Sequence, residues 1–283
     1  MARKTIMMLA TVALFAACSD SASSEAATAS KANLLSHRVP VYLALGDSVP
    51  FGWSDALAGS TEPWRFVGYP QFLAFGLGMR LLDAACPSEA SGSFLSADAP
   101  DDGCRAYRAT HDLHVQYDGT QLTYALEVVK TSRRLELVTL QLGANDLQIL
   151  SKSCAGDPQC VAANLPGTVQ AIATNVATII GALREAEYGG QVVVIDYYNP
   201  TTDPMQDAVL GALDGALEAT ATAMGVDFVD LKEPFARAAE RVGGDPCATH
   251  LIATVNGVCE SHPSWAGHLL IATLVARALD QGH

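Results

Sequence analysis

Positive charge is scarce in this sequence: 17 Lys and Arg stand against 30 Asp and Glu, a net charge of −13. So acidic a chain has no basic surface to gather nucleic-acid phosphates or an anionic bilayer, and neither is an expected partner. Internal repeats are absent too, and no second domain is visible. With 49% hydrophobic residues in 283, the composition excludes disorder and collagen-like repetition and supplies one large buried core.

A membrane-spanning run is also missing. The apolar stretch Ile6–Ala17 is twelve residues long, too short to cross about 30 Å of hydrocarbon at 1.5 Å per residue. Preceded by Arg3 and Lys4, it reads as an export signal over residues 1–18. Its end, Leu14-Phe15-Ala16-Ala17-Cys18, resembles the bacterial lipoprotein box, in which the cysteine is lipidated and tethers the protein to a membrane. An ordinary secretory signal cut slightly later is the other reading. Either way the chain is expected outside the cytoplasm, as a cell-envelope lipoprotein or a secreted protein. Residues 19–37 are rich in Ser, Ala and Thr and read as a flexible linker. The folded domain is expected over 38–283, as a monomer.

Beyond Cys18, six cysteines remain: Cys86, Cys104, Cys154, Cys160, Cys247 and Cys259. An even number in an exported chain points to disulfides, and these fall into three sequence-local couples, 86/104, 154/160 and 247/259. A competing reading is a zinc site from Cys247-Ala-Thr-His250 and Cys259-Glu-Ser-His262. Export favours oxidation, so neither metal nor cofactor is expected.

Short apolar runs recur at 41–45, 80–85, 137–142, 192–196 and 226–230. Helical patterns lie at 70–78, 121–133, 162–187, 208–224 and 266–279. This alternation specifies an α/β fold, a doubly wound, mainly five-stranded parallel sheet with helices on both faces. In such sheets ligands bind beyond the carboxyl ends of the strands.

The loops at those ends are informative. Ser48 lies in a strand-to-helix turn after Gly46, where a helix N-terminus faces its hydroxyl. An Asp-Ser N-cap would look the same. A hydroxyl needs a base, and His262, in a loop that Pro263 ends sharply, supplies an imidazole. His268 falls inside the last helix, where a packing histidine is the default. Asn145, after Gly143, offers an amide N–H to a developing oxyanion, or simply an Asx turn.

Together ALGDS around Ser48, LGAND around Asn145 and HPSWAGH around His262 resemble the GDSL, or SGNH, serine hydrolases across most of residues 38–283. The resemblance implies a flavodoxin-like fold and a metal-free esterase or lipase. Ser48 would be the nucleophile, His262 the base, and Ser48, Ser88 and Asn145 the oxyanion hole. Two positions depart from the family pattern. Ser88 stands in CPSE where the family commonly has a glycine, so its backbone lacks glycine's freedom. Cys259 replaces the Asp expected three residues before His262. The ring is then expected to be oriented by a backbone carbonyl near Cys259, with Glu260 as the alternative. The substrate is expected to be a small-molecule or lipid ester. The polar segment 89–116 lacks the apolar face of a lipid lid, which favours small, water-soluble esters, with lysophospholipids and acetylated carbohydrates as alternatives. A noncatalytic binding relative is the competing class.

Overall fold

The computed structural model describes residues 39–281. The export signal over 1–18, Cys18 and the linker over 19–37 lie outside the described residues.

Strand β1 (Val41–Gly46) is apolar and buried at every position, as a strand covered on both faces must be. The short helix α1 (Ser48–Phe51) follows at once, then α2 (Tyr69–Leu77) and β2 (Arg80–Asp83). Two further short helices, α3 (Ser91–Leu95) and α4 (Cys104–Arg108), precede α5 (Gln121–Thr131) and β3 (Leu135–Gln141). Next come α6 (Ala144–Ser153), α7 (Pro158–Glu185), β4 (Gln191–Ile195), α8 (Pro204–Met224), β5 (Asp227–Val229) and α9 (Lys232–Glu240). A hairpin, β6 (Ile252–Val255) and β7 (Val258–Pro263), leads into α10 (Trp265–Gln281).

The five strands β1–β5 form one sheet in the order β2-β1-β3-β4-β5, all pairs parallel. Gly46 at the end of β1 is in register with Gln141 at the end of β3, which brings Ser48 and Asn145 to one sheet edge. The long helices are cut out by their caps. Asp157 and Asp203 accept from Gln159 N–H and Met205 N–H, each with a proline in the next position, and left-handed Gly225 ends α8. Ile172, Ile179, Ile180 and Leu183 of α7 and Leu213 and Leu217 of α8 are buried in the core.

Two expectations need correction. The second strand is regular to Asp83 rather than 85, although the Ala84 and Cys86 N–H groups still donate to the Ala44 and Gly46 carbonyls of β1 at 2.9 and 3.0 Å; the outward-facing Ala85 N–H is taken by the Asp83 carboxylate at 3.1 Å. His262 is not in a loop; it lies on β7, paired antiparallel with β6. The turn between them is Asn256-Gly257, both at positive φ (52° and 79°), a pair suited to tight hairpins.

Cys86–Cys104, Cys154–Cys160 and Cys247–Cys259 are bonded, with Cα–Cα separations of 5.7, 5.5 and 5.8 Å. None lies in the five-stranded sheet. With both its sulfurs in a cystine, the set of Cys247, His250, Cys259 and His262 has no thiolates to offer a metal.

Candidate active site

Ser48 is placed by its two predecessors. Gly46 sits at φ 138°, and a Cβ there would stand 2.2 Å from the Gln141 carbonyl oxygen, so only glycine lets β1 and β3 close at this point. Asp47 caps α1, its carboxylate accepting from the Val49 N–H at 3.0 Å. The same carboxylate accepts from the Tyr197 hydroxyl at 2.5 Å and lies 3.4 Å from the Asn145 amide nitrogen. Burial pushes the Asp47 carboxyl up to about 6, against the pull of the Tyr197 hydroxyl and the Val49 N–H.

Across the cleft, His262 Nε2 is 3.0 Å from Ser48 Oγ. Its other nitrogen, Nδ1, is buried without a hydrogen-bond partner. The nearest acid is Glu260, whose Oε2 stands 3.5 Å away, an ion-pair distance. No hydrogen bond among the described residues joins the Cys259 carbonyl to the ring, so the side chain, not the backbone, faces Nδ1. Residues 260 and 262 are two apart on a strand, so their side chains share one face. Glu260 is anchored by the Ser54 hydroxyl and the Asp55 N–H, both at 2.7 Å. Burial raises its carboxyl, but the His262 ring, the Asp55 N–H and the Ser54 hydroxyl together outweigh that and hold it below the ordinary glutamate value.

The third wall carries Ser88 and Asn145. Ser88 adopts φ 67°, the left-handed conformation that glycine takes without strain. Neither the Ser48 nor the Ser88 N–H donates to a protein acceptor among the described residues. The Asn145 amide donates to the Glu89 carbonyl at 2.9 Å, and its 3.4 Å approach to Asp47 is the weaker of its two contacts.

A family model described as the GDSL-like Lipase/Acylhydrolase family matches residues 44–270, most of the chain. The chain belongs to that family. Solved structures repeat the fold at low identity. An extracellular lipase from Streptomyces rimosus is 18% identical with a TM-score of 0.55, covering 85% of this chain and 100% of its own. A lipase from a goat rumen metagenome is 16% identical with a TM-score of 0.55, over 85% and 97% of the two chains. An acetylxylan esterase from Geobacillus stearothermophilus is 16% identical with a TM-score of 0.51, over 84% and 93%. No curated protein matches.

In this GDSL-family chain Ser48, Ser88, Asn145 and His262 all line one cleft of about 820 Å³. Trp53, Tyr197 and Tyr198 line it as well, whereas Trp64 and Trp265 are exposed elsewhere. The segment 89–116 borders it through Asp102, Gly103, Tyr107 and His111. His268 is buried in α10, does not line the cleft, and is pushed down to about 3 by burial, so it stays neutral.

Two supporting residues carry no sequence signal of their own. Tyr197 holds Asp47, as described. Gln121, fully buried at the start of α5, accepts from the Gly46 N–H at 3.0 Å and donates to the Gly46 carbonyl at 2.7 Å and Glu89 at 3.0 Å. A glutamine opening a helix looks like any surface residue; only the fold shows that it braces the peptide before Asp47 and Ser48.

Proposed function

We propose that this GDSL-family hydrolase cleaves carboxylic esters through a Ser48 acyl-enzyme. The observation that carries the reading is the 3.0 Å contact between His262 Nε2 and Ser48 Oγ, within reach of direct proton transfer. Ser48 Oγ attacks the ester carbonyl as its proton passes to Nε2. The carbonyl oxygen becomes an oxyanion, held by the Ser48 and Ser88 N–H groups and the Asn145 amide. Collapse breaks the bond to the alkoxide, which leaves with the proton from Nε2. Water then repeats the attack and releases the acid. Glu260 is the positioning acid: ionised, it steadies the imidazolium that forms in each half-reaction. No step requires a cofactor.

The cleft is lined both by polar groups such as Ser88, Asp102, Asn145 and Gln148 and by Leu147, Val161, Met205 and Leu210, so it suits an ester with both a polar and an apolar part, and small esters are the first class to test. Trp53 and Tyr107, edge to face at 5.7 Å, give one wall of the cleft an aromatic character, which supports acetylated carbohydrate as a second reading. Three disulfides support export, with the tether through Cys18 as the lipoprotein form.

The test is a p-nitrophenyl ester series of rising chain length, with acetylated xylo-oligosaccharides and lysophospholipid alongside. The parent should release a burst of nitrophenol and accept a fluorophosphonate label on Ser48, and Ser48→Ala should do neither. A burst retained in Ser48→Ala refutes the assignment, and an inert parent favours the binding relative.

A further inference from the structure

Behind the His262 ring, on the side away from Ser48, three ligand-type atoms converge. His262 Nδ1, a Glu260 carboxylate oxygen and an Asp55 carboxylate oxygen all lie within 4.8 Å of one another. Nδ1 is sealed from solvent yet has no hydrogen-bond partner. Its 3.5 Å separation from Glu260 Oε2 is too long for an ordinary N–H···O bond of about 2.7–3.2 Å. Two ligands of one tetrahedral zinc ion, at about 2.0–2.1 Å for nitrogen and about 2.0–2.2 Å for oxygen, stand roughly 3.3–3.5 Å apart. The gap therefore suits an ion bridging the two groups.

The rest of the cluster agrees. Glu260 is fixed by Ser54 and the Asp55 N–H, and the Asp55 carboxylate accepts from Trp53 Nε1 at 3.0 Å, so both oxygen ligands are already oriented. Asp55 is exposed, so the third ligand of the cluster faces solvent. Two carboxylates and a neutral imidazole in a chain of net charge −13 attract a dication. The nitrogen donor selects zinc-class ions over calcium or magnesium, which prefer oxygen alone.

We propose that Asp55, Glu260 and His262 form a zinc-class site that switches the hydrolase off. The inhibitory effect rests on the reading of His262 as the base. Working as a base, the neutral ring carries its proton on Nδ1 and keeps the Nε2 lone pair for the Ser48 proton. Coordination takes the Nδ1 lone pair, and the single ring proton moves to Nε2. The ring stays neutral, nothing is oxidised and the ion gives up only the waters that the protein ligands replace, but Nε2 is now a donor and Ser48 keeps its hydrogen. The site and the catalytic state are thus two tautomers of one imidazole.

The experiment uses untagged protein stripped of metal. Zinc chloride is titrated calorimetrically, with calcium chloride as control, and p-nitrophenyl acetate hydrolysis is followed at the same zinc concentrations, each variant normalised to its own metal-free rate. One zinc per chain, no calcium binding, and inhibition saturating with the binding curve are expected. Asp55→Asn should weaken binding and inhibition together by at least about tenfold. Zinc binding unchanged in Asp55→Asn, or full hydrolysis by the zinc-loaded protein, overturns the proposal. A protein that binds zinc through Asp55 yet hydrolyses no ester when metal-free keeps the site and sinks the functional reading instead.

Discussion

Ser88 shows how one residue can hold a conformation its side chain resists. Its left-handed backbone costs a non-glycine residue roughly 1–3 kcal/mol. It is held there by the Asp102 N–H, which donates to the Ser88 carbonyl at 3.2 Å. Ser88→Gly should therefore keep kcat and leave the melting temperature equal or higher, whereas β-branched Ser88→Val should lower both; calorimetry and steady-state kinetics check this. Glu260→Gln should cost on the order of 10² to 10⁴ in kcat with little change in KM, since it removes the charge facing the imidazolium while keeping one oxygen for the Asp55 N–H and an amide that can donate to the Ser54 hydroxyl. Because the Glu260 carboxyl lies below the ordinary glutamate value, the stability it adds is present above that ordinary value and is lost as pH falls through its lowered one. Ser48, Asn145 and His262 were legible because each lies in a short motif beside a strand end. Glu260 is harder to read: an acid two positions from a histidine faces it only on a strand, and Pro263 makes this segment look like a loop.

At the scale of elements, long periodic segments were legible and short ones were not. The five strands and the helices α2, α5, α7, α8 and α10 match the sequence pattern within a few residues, since each buries a continuous face. Helices α1, α3 and α4 span five residues or fewer, too little for a period to register. The β6–β7 hairpin did carry its signal, Asn256-Gly257 between Val255 and Val258, but its strands alternate with polar residues and lack the apolar run of the main sheet. Two cystines attach to segments bearing site residues: Cys86 is two residues from Ser88, and Cys259 lies on the strand that carries His262. Graded reduction should lower hydrolysis before the far-UV dichroism of the sheet changes, and a parallel loss of both would leave the bridges a purely global role.

Across the whole molecule, buried carboxyls set the response to pH. Desolvation first, and neighbouring acids second for Asp196, push Asp47 and Asp83 to about 6, Glu89 and Asp214 to about 7, and Asp196 to about 9. A raised folded-state value means that the group stabilises the fold below its unfolded pKa, and that this contribution is lost as pH climbs through the folded one. His268 acts in the opposite sense: held at about 3, it favours the fold above the ordinary histidine range and penalises it below. Melting temperature should thus be highest in acidic buffer near the ordinary carboxylate values, about pH 4, and fall steadily towards pH 9, as scanning calorimetry across that range will show.

Heat should act on turnover sooner than on the fold, because the imidazole rides on a two-stranded ribbon while the hydroxyl is seated at the edge of the five-stranded sheet. A ribbon of that width has little stability of its own. The warmest temperature at which the enzyme works well should therefore lie below its calorimetric midpoint, and shortening the ribbon's thermal excursions, rather than hardening the interior, is the route to a more heat-tolerant catalyst.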